Sequence, residues 1–503
     1  MKTPSRSIAF VLVMACLALG VVAPVSAIEV ESRLREMIRS GDLRQTHVSA
    51  MVVDLDSGAV LAAIDPDEPM IPASNMKLLT TAAALDVLGT EFVFRTTLAR
   101  FTPEKGAPSR PSLLIQGDGD PAFGDPVLLG QHAPPLVVED LLDHWVDAVK
   151  ATGQTHFDTL LVDDRIFDRQ FHHPDWPEDQ LINRWCAQVA GVNFYQNVID
   201  VIATPANRAG ASPRIEIFPP APFLETRNRA RTGDSDAFWI SRLPETNQYT
   251  FHGTVRSRPQ GGVQVTVHDP PIHFAHVLKA RLAAAGITID RVARAADDQV
   301  LPESQPLHAV QTTLPLVLTR VNQDSQNMFA EALVKRMGRA MTGEPGSWDN
   351  GAAAMRFALR RRLGTSAASV SIADGSGMSR ENRVTTRLIV DLLRSMHEDD
   401  DAEKAELFRG SLSRAGETGT LRRRMGDLDA EIVAKTGYLR GVSALSGYVR
   451  IPTSEGEPPR TIAFSFLFNG FAPPLHNHHM QRLQNSMVET IEQTVRERIE
   501  LGG

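Results

Sequence analysis

The 503-residue sequence contains very little cysteine, and its two cysteines are far apart. Cys16 lies in an apolar segment near the N-terminus, so Cys186 is the only thiol expected if that segment is removed. A fold that depends on disulfide bonds is therefore excluded. We interpret Cys186, which follows Trp185, as a small apolar group of the interior.

An excess of basic residues is also lacking. The sequence has 52 Lys and Arg against 60 Asp and Glu, a formal net charge of −8. A net-acidic surface repels phosphate backbones, so nucleic acid is excluded as a partner. No run after residue 27 is long and apolar enough to cross a bilayer, and no repeat of solenoid or propeller period occurs.

The first 27 residues have the pattern of a secretory signal. Lys2 and Arg6 precede an apolar run over residues 8–22, and small residues lead to Ala27. This pattern predicts a signal peptide over residues 1–27 and export, with the periplasm as the expected compartment. Two alternatives stay open. One is lipidation of Cys16, and the other is a retained anchor, for which the apolar run is short.

Apolar periodicity predicts a sheet built from both ends of the remaining chain. Alternating residues over 47–64 predict a hairpin, and a helical pattern begins at Ser74. Near the other end, strands are predicted over 431–435, 442–450 and 461–469, before a final helix.

The middle of the chain has a different composition. Residues 99–304 are rich in Pro, Gly and Asp and predict short strands separated by turns. We therefore predict a catalytic domain formed by residues 28–98 and 305–503. Residues 99–304 would be inserted into it, as two domains that are mainly β and supply no catalytic group.

Two of the candidate chemical groups lie at the start of the predicted helix. Ser74 and Lys77 are three residues apart, a spacing that places both side chains on one helix face. A serine at a helix N-terminus is also close to free backbone N–H groups. The pair alone is a weak signal, since a capping serine and a solvated lysine share this spacing by chance.

Two further motifs follow in order along the chain. Ser325 and Asn327 open a predicted helix, and Lys435, Thr436 and Gly437 end an apolar strand. Glycine lets a substrate backbone approach the strand edge, and lysine supplies a cation for a carboxylate. The order Ser-x-x-Lys, Ser-x-Asn, Lys-Thr-Gly is the set found in penicillin-binding proteins and class A β-lactamases.

The surrounding sequence resembles the class C low-molecular-mass penicillin-binding proteins, a family of D-alanyl-D-alanine carboxypeptidases and endopeptidases. The similarity extends from about residue 30 to about residue 470, and its segments are residues 72–85, 88–89, 119–121, 374–380, 419–421 and 435–448. Ser74 and Ser325 are 251 residues apart. That distance fits the extra domains that this family carries between its first two motifs.

The resemblance implies an α+β fold, namely a penicillin-recognising serine transpeptidase/β-lactamase-like domain with an antiparallel sheet flanked by helices. It implies a serine-type carboxypeptidase or endopeptidase that acts on peptidoglycan stem peptides through an acyl-enzyme. β-Lactam antibiotics would be covalent inhibitors. No metal and no organic cofactor are implied.

The resemblance also assigns the catalytic roles. Ser74 would be the nucleophile and Lys77 its base, with the pKa of Lys77 lowered by the nearby charge of Lys435. Ser325 would relay a proton to the leaving nitrogen. Asn327 would hold the substrate amide and Lys77.

Substrate binding is expected along the Lys-Thr-Gly strand. Lys435 and Thr436 would bind the terminal carboxylate beside Gly437, and the backbone N–H of Tyr438 would share the oxyanion with Ser74. Arg380 and Arg440 are expected to read the third residue of the stem peptide, with a preference for the free carboxylate of diaminopimelate.

Other interpretations stay open at this point. A serine β-lactamase uses the same acylation groups, and a wall-binding scaffold could retain an unused site. The histidine-rich segments are interpreted as solvated loops, with a metal site as the alternative; they contain His172, His173, Asp175, His476, His478 and His479. Residues 422–424, all arginine, are a solvated face or a peripheral contact with anionic polymers or a membrane surface.

Overall fold

The computed structural model describes residues 25–41, 43, 45–102, 110–454 and 456–502. Its α-helices are α1 (Val25–Ser40), α2 (Met76–Leu88), α3 (Pro126–Leu129), α4 (Val138–Lys150), α5 (Pro270–Ala284), α6 (Leu314–Asn322), α7 (Asn327–Thr342), α8 (Trp348–Leu363), α9 (Thr386–His397), α10 (Ala402–Gly410) and α11 (Asn477–Gly502). The predicted signal over residues 1–27 lies outside the described residues, apart from the first turn of α1.

The strands come from three separate parts of the chain. They are β1 (His47–Asp54), β2 (Val60–Ile64), β3 (Val93–Phe101), β4 (Ser112–Gly117), β5 (His156–Asp163), β6 (Val198–Thr204), β7 (Arg214–Phe218), β8 (Glu225–Asn228), β9 (Arg231–Thr232), β10 (Trp239–Arg242), β11 (Gln248–His252), β12 (Thr254–Val255), β13 (Val263–Thr266), β14 (Thr288–Arg294), β15 (Ser304–Thr313), β16 (Ser413–Arg414), β17 (Glu431–Leu439), β18 (Val442–Ile451) and β19 (Arg460–Asn469).

The largest sheet joins the two ends of the chain, as the alternating patterns predicted. Its order is β16-β17-β18-β19-β1-β2, and all its pairs are antiparallel. Both faces are covered. On β19, Phe464 and Phe466 pack in the same core as α1 and α11, whereas Ala463 and Leu467 pack in the core of α2, α7 and α9. Each buried Phe or Leu side chain contributes about 1.5–3 kcal/mol, and such residues lie on both faces, so both helical layers are held on the sheet.

A second sheet, of order β14-β5-β4-β3-β15, occupies much of the middle segment. Its pairs β4·β5 and β5·β14 are parallel, and parallel neighbours need a crossover. Helices α4 and α5 make those crossovers, so this part is a mixed sheet with helices. Strand β3 runs through the expected boundary at residue 99, and β15 begins at the other expected boundary. The division into domains stays a prediction.

Strands β6 to β13 form smaller sheets with a separate core, which includes Ile199, Tyr249 and Phe251. Within the described residues, no helix combines the length and the apolar character that a membrane span requires.

Candidate active site

Ser74 lies in a single 3₁₀ turn, Ala73–Asn75, directly before α2. This turn is tied to the sheet by Asn75, which is fully buried. The Asn75 side-chain nitrogen donates to the backbone oxygen of Lys435 at 2.9 Å, and its oxygen accepts from Ser446 Oγ at 2.6 Å. Because a buried amide with both ends bonded holds a single orientation, Ser74 is fixed against β17.

Lys77 is the second residue of α2 and is fully buried. Its Nζ donates to Ser74 Oγ at 3.1 Å, to Asn327 Oδ1 at 2.7 Å and to the backbone oxygen of Ser376 at 2.7 Å. All three donor positions of an ammonium group are thus used. The structure brings the first two sequence motifs together through this one side chain.

Burial lowers the pKa of Lys77 to about 7. The buried acids Glu331 and Asp374 oppose that effect and raise the pKa. The sequence interpretation attributed the lowering to the charge of Lys435, but the main cause is the removal of the amine from water. A lysine in this state is present in both protonation forms near neutral pH.

Lys435 is the second buried amine of the site. Its Nζ donates to Ser325 Oγ at 2.9 Å and to the backbone oxygen of Thr436 at 2.9 Å. Burial and repulsion from Lys77 both lower its pKa well below the ordinary value, and Asp324 opposes them. Ser325 lies two residues before the start of α7 and has a left-handed φ of 57°, which is uncommon outside glycine. In this conformation its hydroxyl contacts Lys435.

The Lys-Thr-Gly segment leaves one edge of β17 open. The two residues of β16 cover this edge only opposite Val433 and Ala434, so the strand is unpaired on that side beyond Ala434 within the described part of the chain. At Gly437, a Cβ atom would lie 3.1 Å from the backbone nitrogen of Ser74. Glycine is required here because the strand and the Ser74 turn approach so closely.

A buried acidic network supports the loop that contacts Lys77. Glu331 accepts from the backbone nitrogens of Gly375 at 3.0 Å and Ser376 at 2.7 Å, and from Trp348 Nε1 at 2.9 Å. Asp374 accepts from four donors of the same region, namely Trp176, Gly377, Ser379 and Asn382. Burial raises the pKa of Glu331, and the nearby Asp374 carboxylate raises it further.

Sequence reasoning missed Glu331 as a functional residue. A signal was available, because a charged residue one helical turn after Asn327 lies on the apolar face of α7. Asp374 lies in a segment that carried the family resemblance, but no role was assigned to it.

The middle segment also contributes to the walls of the site. Trp176 Nε1 donates to Asp374 Oδ2 at 2.9 Å, and the backbone oxygen of Trp185 accepts from Asn327 at 2.8 Å. Cys186 is buried beside Trp176 and Met378, in the interior as predicted, and burial raises the pKa of its thiol to about 12. Sequence reasoning assigned no part of the site to this segment.

A cavity of about 890 Å³ opens over Ser74. Its lining residues are Ser74, Asp175, Pro177, Gln180, Trp185, Ser325, Asn327, Gly377, Met378, Arg380, Glu381, Tyr438, Leu439 and Arg440. Both arginines of the sequence prediction are therefore at the cleft. They are exposed, and a guanidinium nitrogen of Arg380 donates to the backbone oxygen of Arg440. Arg380 thus retains N–H groups for a ligand.

None of the histidines of the histidine-rich segments lines this cavity, although Asp175 does. Within the described residues, no group of three His, Cys, Asp or Glu side chains converges as metal ligands would. The rings of His476, which precedes α11, and of His478 and His479, in its first turn, pack against one another. Burial lowers the pKa of His172 to about 4.

Residues 30–494 match the family model described as the D-Ala-D-Ala carboxypeptidase 3 (S13) family. A D-alanyl-D-alanine carboxypeptidase of Actinomadura sp. strain R39 is 34% identical over 453 residues, which cover 84% of this chain and 78% of that protein. The D-alanyl-D-alanine carboxypeptidase DacB of Haemophilus influenzae is 22% identical over 85% of this chain and 86% of its own length.

Solved structures agree on the fold. The crystal structure of penicillin-binding protein 4 from Haemophilus influenzae superimposes with a TM-score of 0.74 at 20% identity. The match covers 93% of this chain and 99% of that chain. The α+β architecture, with its antiparallel sheet between helices, is thereby confirmed.

Proposed function

The chain belongs to the D-Ala-D-Ala carboxypeptidase 3 (S13) family, and from this premise we propose that it cleaves D-alanyl peptide bonds of peptidoglycan with Ser74 as nucleophile. One observation carries the proposal. Ser74 Oγ is 3.1 Å from the amine of a fully buried lysine whose pKa is about 7. A hydroxyl needs a neighbouring base, and an amine that is half neutral at pH 7 is suited to that task.

In the acylation step, Ser74 Oγ attacks the carbonyl carbon of the penultimate D-alanine. The hydroxyl proton passes to Lys77 Nζ as the C–O bond forms. The oxyanion accepts hydrogen bonds from the backbone N–H groups of Ser74 and Tyr438. The close approach of Gly437 to the Ser74 turn supports this pairing of donors.

The leaving group then needs a proton. Ser325 Oγ, which accepts a hydrogen bond from the buried amine of Lys435 at 2.9 Å, relays to the nitrogen the proton that Lys77 took from Ser74 as the C–N bond breaks, so Lys77 is neutral again. Asn327 holds the substrate amide with the side chain that also orients Lys77. Water hydrolyses the ester. With a cross-linked peptide, the leaving amine is that of the neighbouring strand, which gives the endopeptidase reaction.

The terminal carboxylate is bound at the end of the Lys-Thr-Gly strand. Lys435 and the hydroxyl of Thr436 are its partners, and Thr436 Oγ1 is already oriented by Thr420 at 2.8 Å. No metal or organic cofactor takes part in these steps.

A labelled penicillin tests the nucleophile. We expect one covalent adduct, found by mass spectrometry on the peptide that contains Ser74, and no adduct in Ser74→Ala. Ser325→Ala is the matched control, because it removes the other motif serine of the same cavity. That variant should still form the adduct on Ser74, more slowly. An adduct on Ser325 or elsewhere would overturn the assignment, and rapid penicillin turnover would indicate a β-lactamase.

Arg380 and Arg440 give the cleft a preference for diaminopimelate at the third residue of the stem peptide. Both line the cavity beside Tyr438, and a bidentate guanidinium–carboxylate pair contributes about 1.5–3 kcal/mol. The measurement is kcat/KM for peptides with diaminopimelate and with lysine, in the wild type, Arg380→Ala and Arg440→Ala. Equal discrimination in all three proteins would show that neither arginine reads the side chain.

The enzyme acts outside the cytoplasm, in the periplasm. The basic start, apolar run and small residues over 1–27 support export, and the wall polymer is outside the membrane. Cell fractionation with an antibody tests this, and an N-terminal sequence beginning at Ile28 is expected from the exported protein. A wholly cytoplasmic, uncleaved chain would contradict it.

A further inference from the structure

A small sheet far along the chain from the catalytic motifs has one face that no element of the described residues covers. Strands β10, β11 and β8 form it in that order, and Trp239 pairs with His252 across β10 and β11. Ile240, Tyr249 and Phe251 point to the other face and are buried in the module's own core. Because neighbouring residues of a strand alternate between faces, Trp239 and His252 lie on the opposite, outer face.

The outer face carries a prearranged aromatic pair. The rings of Trp239 and His252 stack with centroids 4.0 Å apart and planes 7° apart. Ser241 Oγ bonds to His252 Nε2 at 2.9 Å and holds the imidazole in place. Trp239 is on the edge strand and is 54% exposed, which leaves much of its indole open to solvent. The electron-rich face of an indole attracts the partly positive C–H groups of a sugar ring.

Polar side chains continue this face. Thr250 and Arg227 are side by side on β11 and β8, and Gln248 and Glu225 form the next pair. All four have hydrogen-bonding groups suited to hydroxyls, and none is fully buried. Arg227 makes no ion pair with any described residue. The face thus presents hydrogen-bond donors, acceptors and one unpaired cation beside the aromatic pair.

The same face ends in a cavity of about 330 Å³, which Gln248 and Glu225 also line. His273, on α5, lines it too and is 5% exposed. Its Nδ1 is buried and has no hydrogen-bond partner in the described structure. Leaving this nitrogen without a partner costs about 1–3 kcal/mol, which a rotation of the ring towards a ligand hydroxyl in the cavity would recover. A hydroxyl can donate or accept there, whichever tautomer the ring adopts.

The local charge differs in sign from that of the chain. Residues 205–262 contain eight arginines and five acidic residues, a formal charge of +3, whereas the whole chain carries −8. An elongated ligand with some negative charge is favoured by this surface. The distance along β11 from Gln248 to His252 is about 13 Å, so the ligand must be a chain.

We propose that this face, with its cavity, binds the glycan strand of peptidoglycan. Sugar rings stack on Trp239, their hydroxyls bond to the row formed by Thr250 and Gln248, and one ring enters the cavity beside His273. Where a stem peptide has been removed, the freed carboxylate of the strand pairs with Arg227. The choice of this glycan rests on the proposed function, since the stem peptides are attached to it. The binding itself is independent of Ser74.

The test uses the whole protein without its signal segment and glycan strands freed of stem peptides by an amidase. Binding is measured by co-sedimentation and calorimetry for the wild type, Trp239→Ala and His273→Phe. The matched control is Phe357→Ala, because Phe357 on α8 is 55% exposed and lies outside this module. Acylation by labelled penicillin is measured for every variant.

We expect Trp239→Ala to weaken binding at least fivefold, His273→Phe to weaken it about threefold, and Phe357→Ala to have no effect, with acylation unchanged throughout. Glycan binding that is absent in the wild type, or equal in Trp239→Ala, would overturn the proposal. So would an effect of Trp239→Ala only on self-association or only on free stem peptides. Because acylation of Ser74 is measured separately from glycan binding, a failure of the proposed catalytic function can be distinguished from a failure of the proposed glycan site.

Discussion

Replacing Lys77 with arginine tests whether the side chain at this position acts as a base or only as a positive charge. With a pKa of about 7, Lys77 is about half neutral at pH 7, whereas a lysine of ordinary pKa has only about 3 neutral molecules in 10,000. Arginine stays protonated at every accessible pH. We expect Lys77→Arg to acylate Ser74 about 10²–10⁴ times more slowly, the usual contribution of a positioned base.

The pH dependence of the wild type follows from the same pKa. The neutral fraction of Lys77 rises from about one tenth at pH 6 to about nine tenths at pH 8, and acylation should therefore rise about tenfold. The assay is the second-order rate constant with a fluorescent penicillin at each pH. A flat or falling profile between pH 6 and 8 would refute the reasoning, as would Lys77→Arg within tenfold of the wild type.

Lys77→Met is the folding control, and the pKa of Lys77 also predicts how the stability of this variant changes with pH. Folding lowers the pKa of Lys77 from 10.5 to about 7, so the folded state binds fewer protons between these values. The buried amine therefore costs no stability above pH 10.5, and its full cost of about 5 kcal/mol applies below pH 7. The stability of Lys77→Met relative to the wild type should accordingly decrease as pH rises from 7 to 10, as measured by denaturant unfolding.

Three further predictions concern the surroundings of this base. Glu331→Gln should shift the acidic limb of the acylation profile to lower pH and lower Tm, because Glu331 raises the pKa of Lys77 and accepts three N–H groups. An acylation profile with an unshifted acidic limb would show that the charge of Glu331 does not act on Lys77. Gly437→Ala should slow acylation about a hundredfold by displacing Ser74, with far-UV circular dichroism retained. Gly261→Ala, which meets no atom within 4 Å, should not slow it. Chelators should leave acylation unchanged, and loss with EDTA that zinc restores would contradict this.

The contacts that the sequence predicted are those set by local periodicity. A three-residue spacing predicted that Ser74 and Lys77 meet, and they do at 3.1 Å, although Ser74 belongs to a 3₁₀ turn and not to the helix itself. The alternation of apolar residues predicted strands β17, β18 and β19 and the hairpin β1–β2. In each of these strands, every second side chain packs into the same core.

The contacts that could not be predicted join segments far apart in the chain. Trp176 and Asp374 are 198 residues apart, and Trp185 and Asn327 are 142 apart. Such pairs leave no periodic trace in one sequence, since the loop that carries both tryptophans has no repeating apolar pattern. The cause of the low pKa of Lys77 was misassigned for a related reason, because burial is a property of the whole packed site.

The two buried amines make the protonation of the site respond to its own substrate. Repulsion between Lys77 and Lys435 is mutual, so a charge held on one lowers the pKa of the other. A substrate carboxylate beside Lys435 favours its charged form, and that charge in turn favours the neutral, basic form of Lys77. Binding of the correct terminus would thus increase the neutral fraction of Lys77, which burial has already made substantial. A peptide that ends in D-alanine amide should then be cleaved more slowly than the free acid, with the larger deficit below pH 7, where Lys77 depends most on this repulsion. An equal deficit at pH 6 and pH 8 would show that the carboxylate only binds.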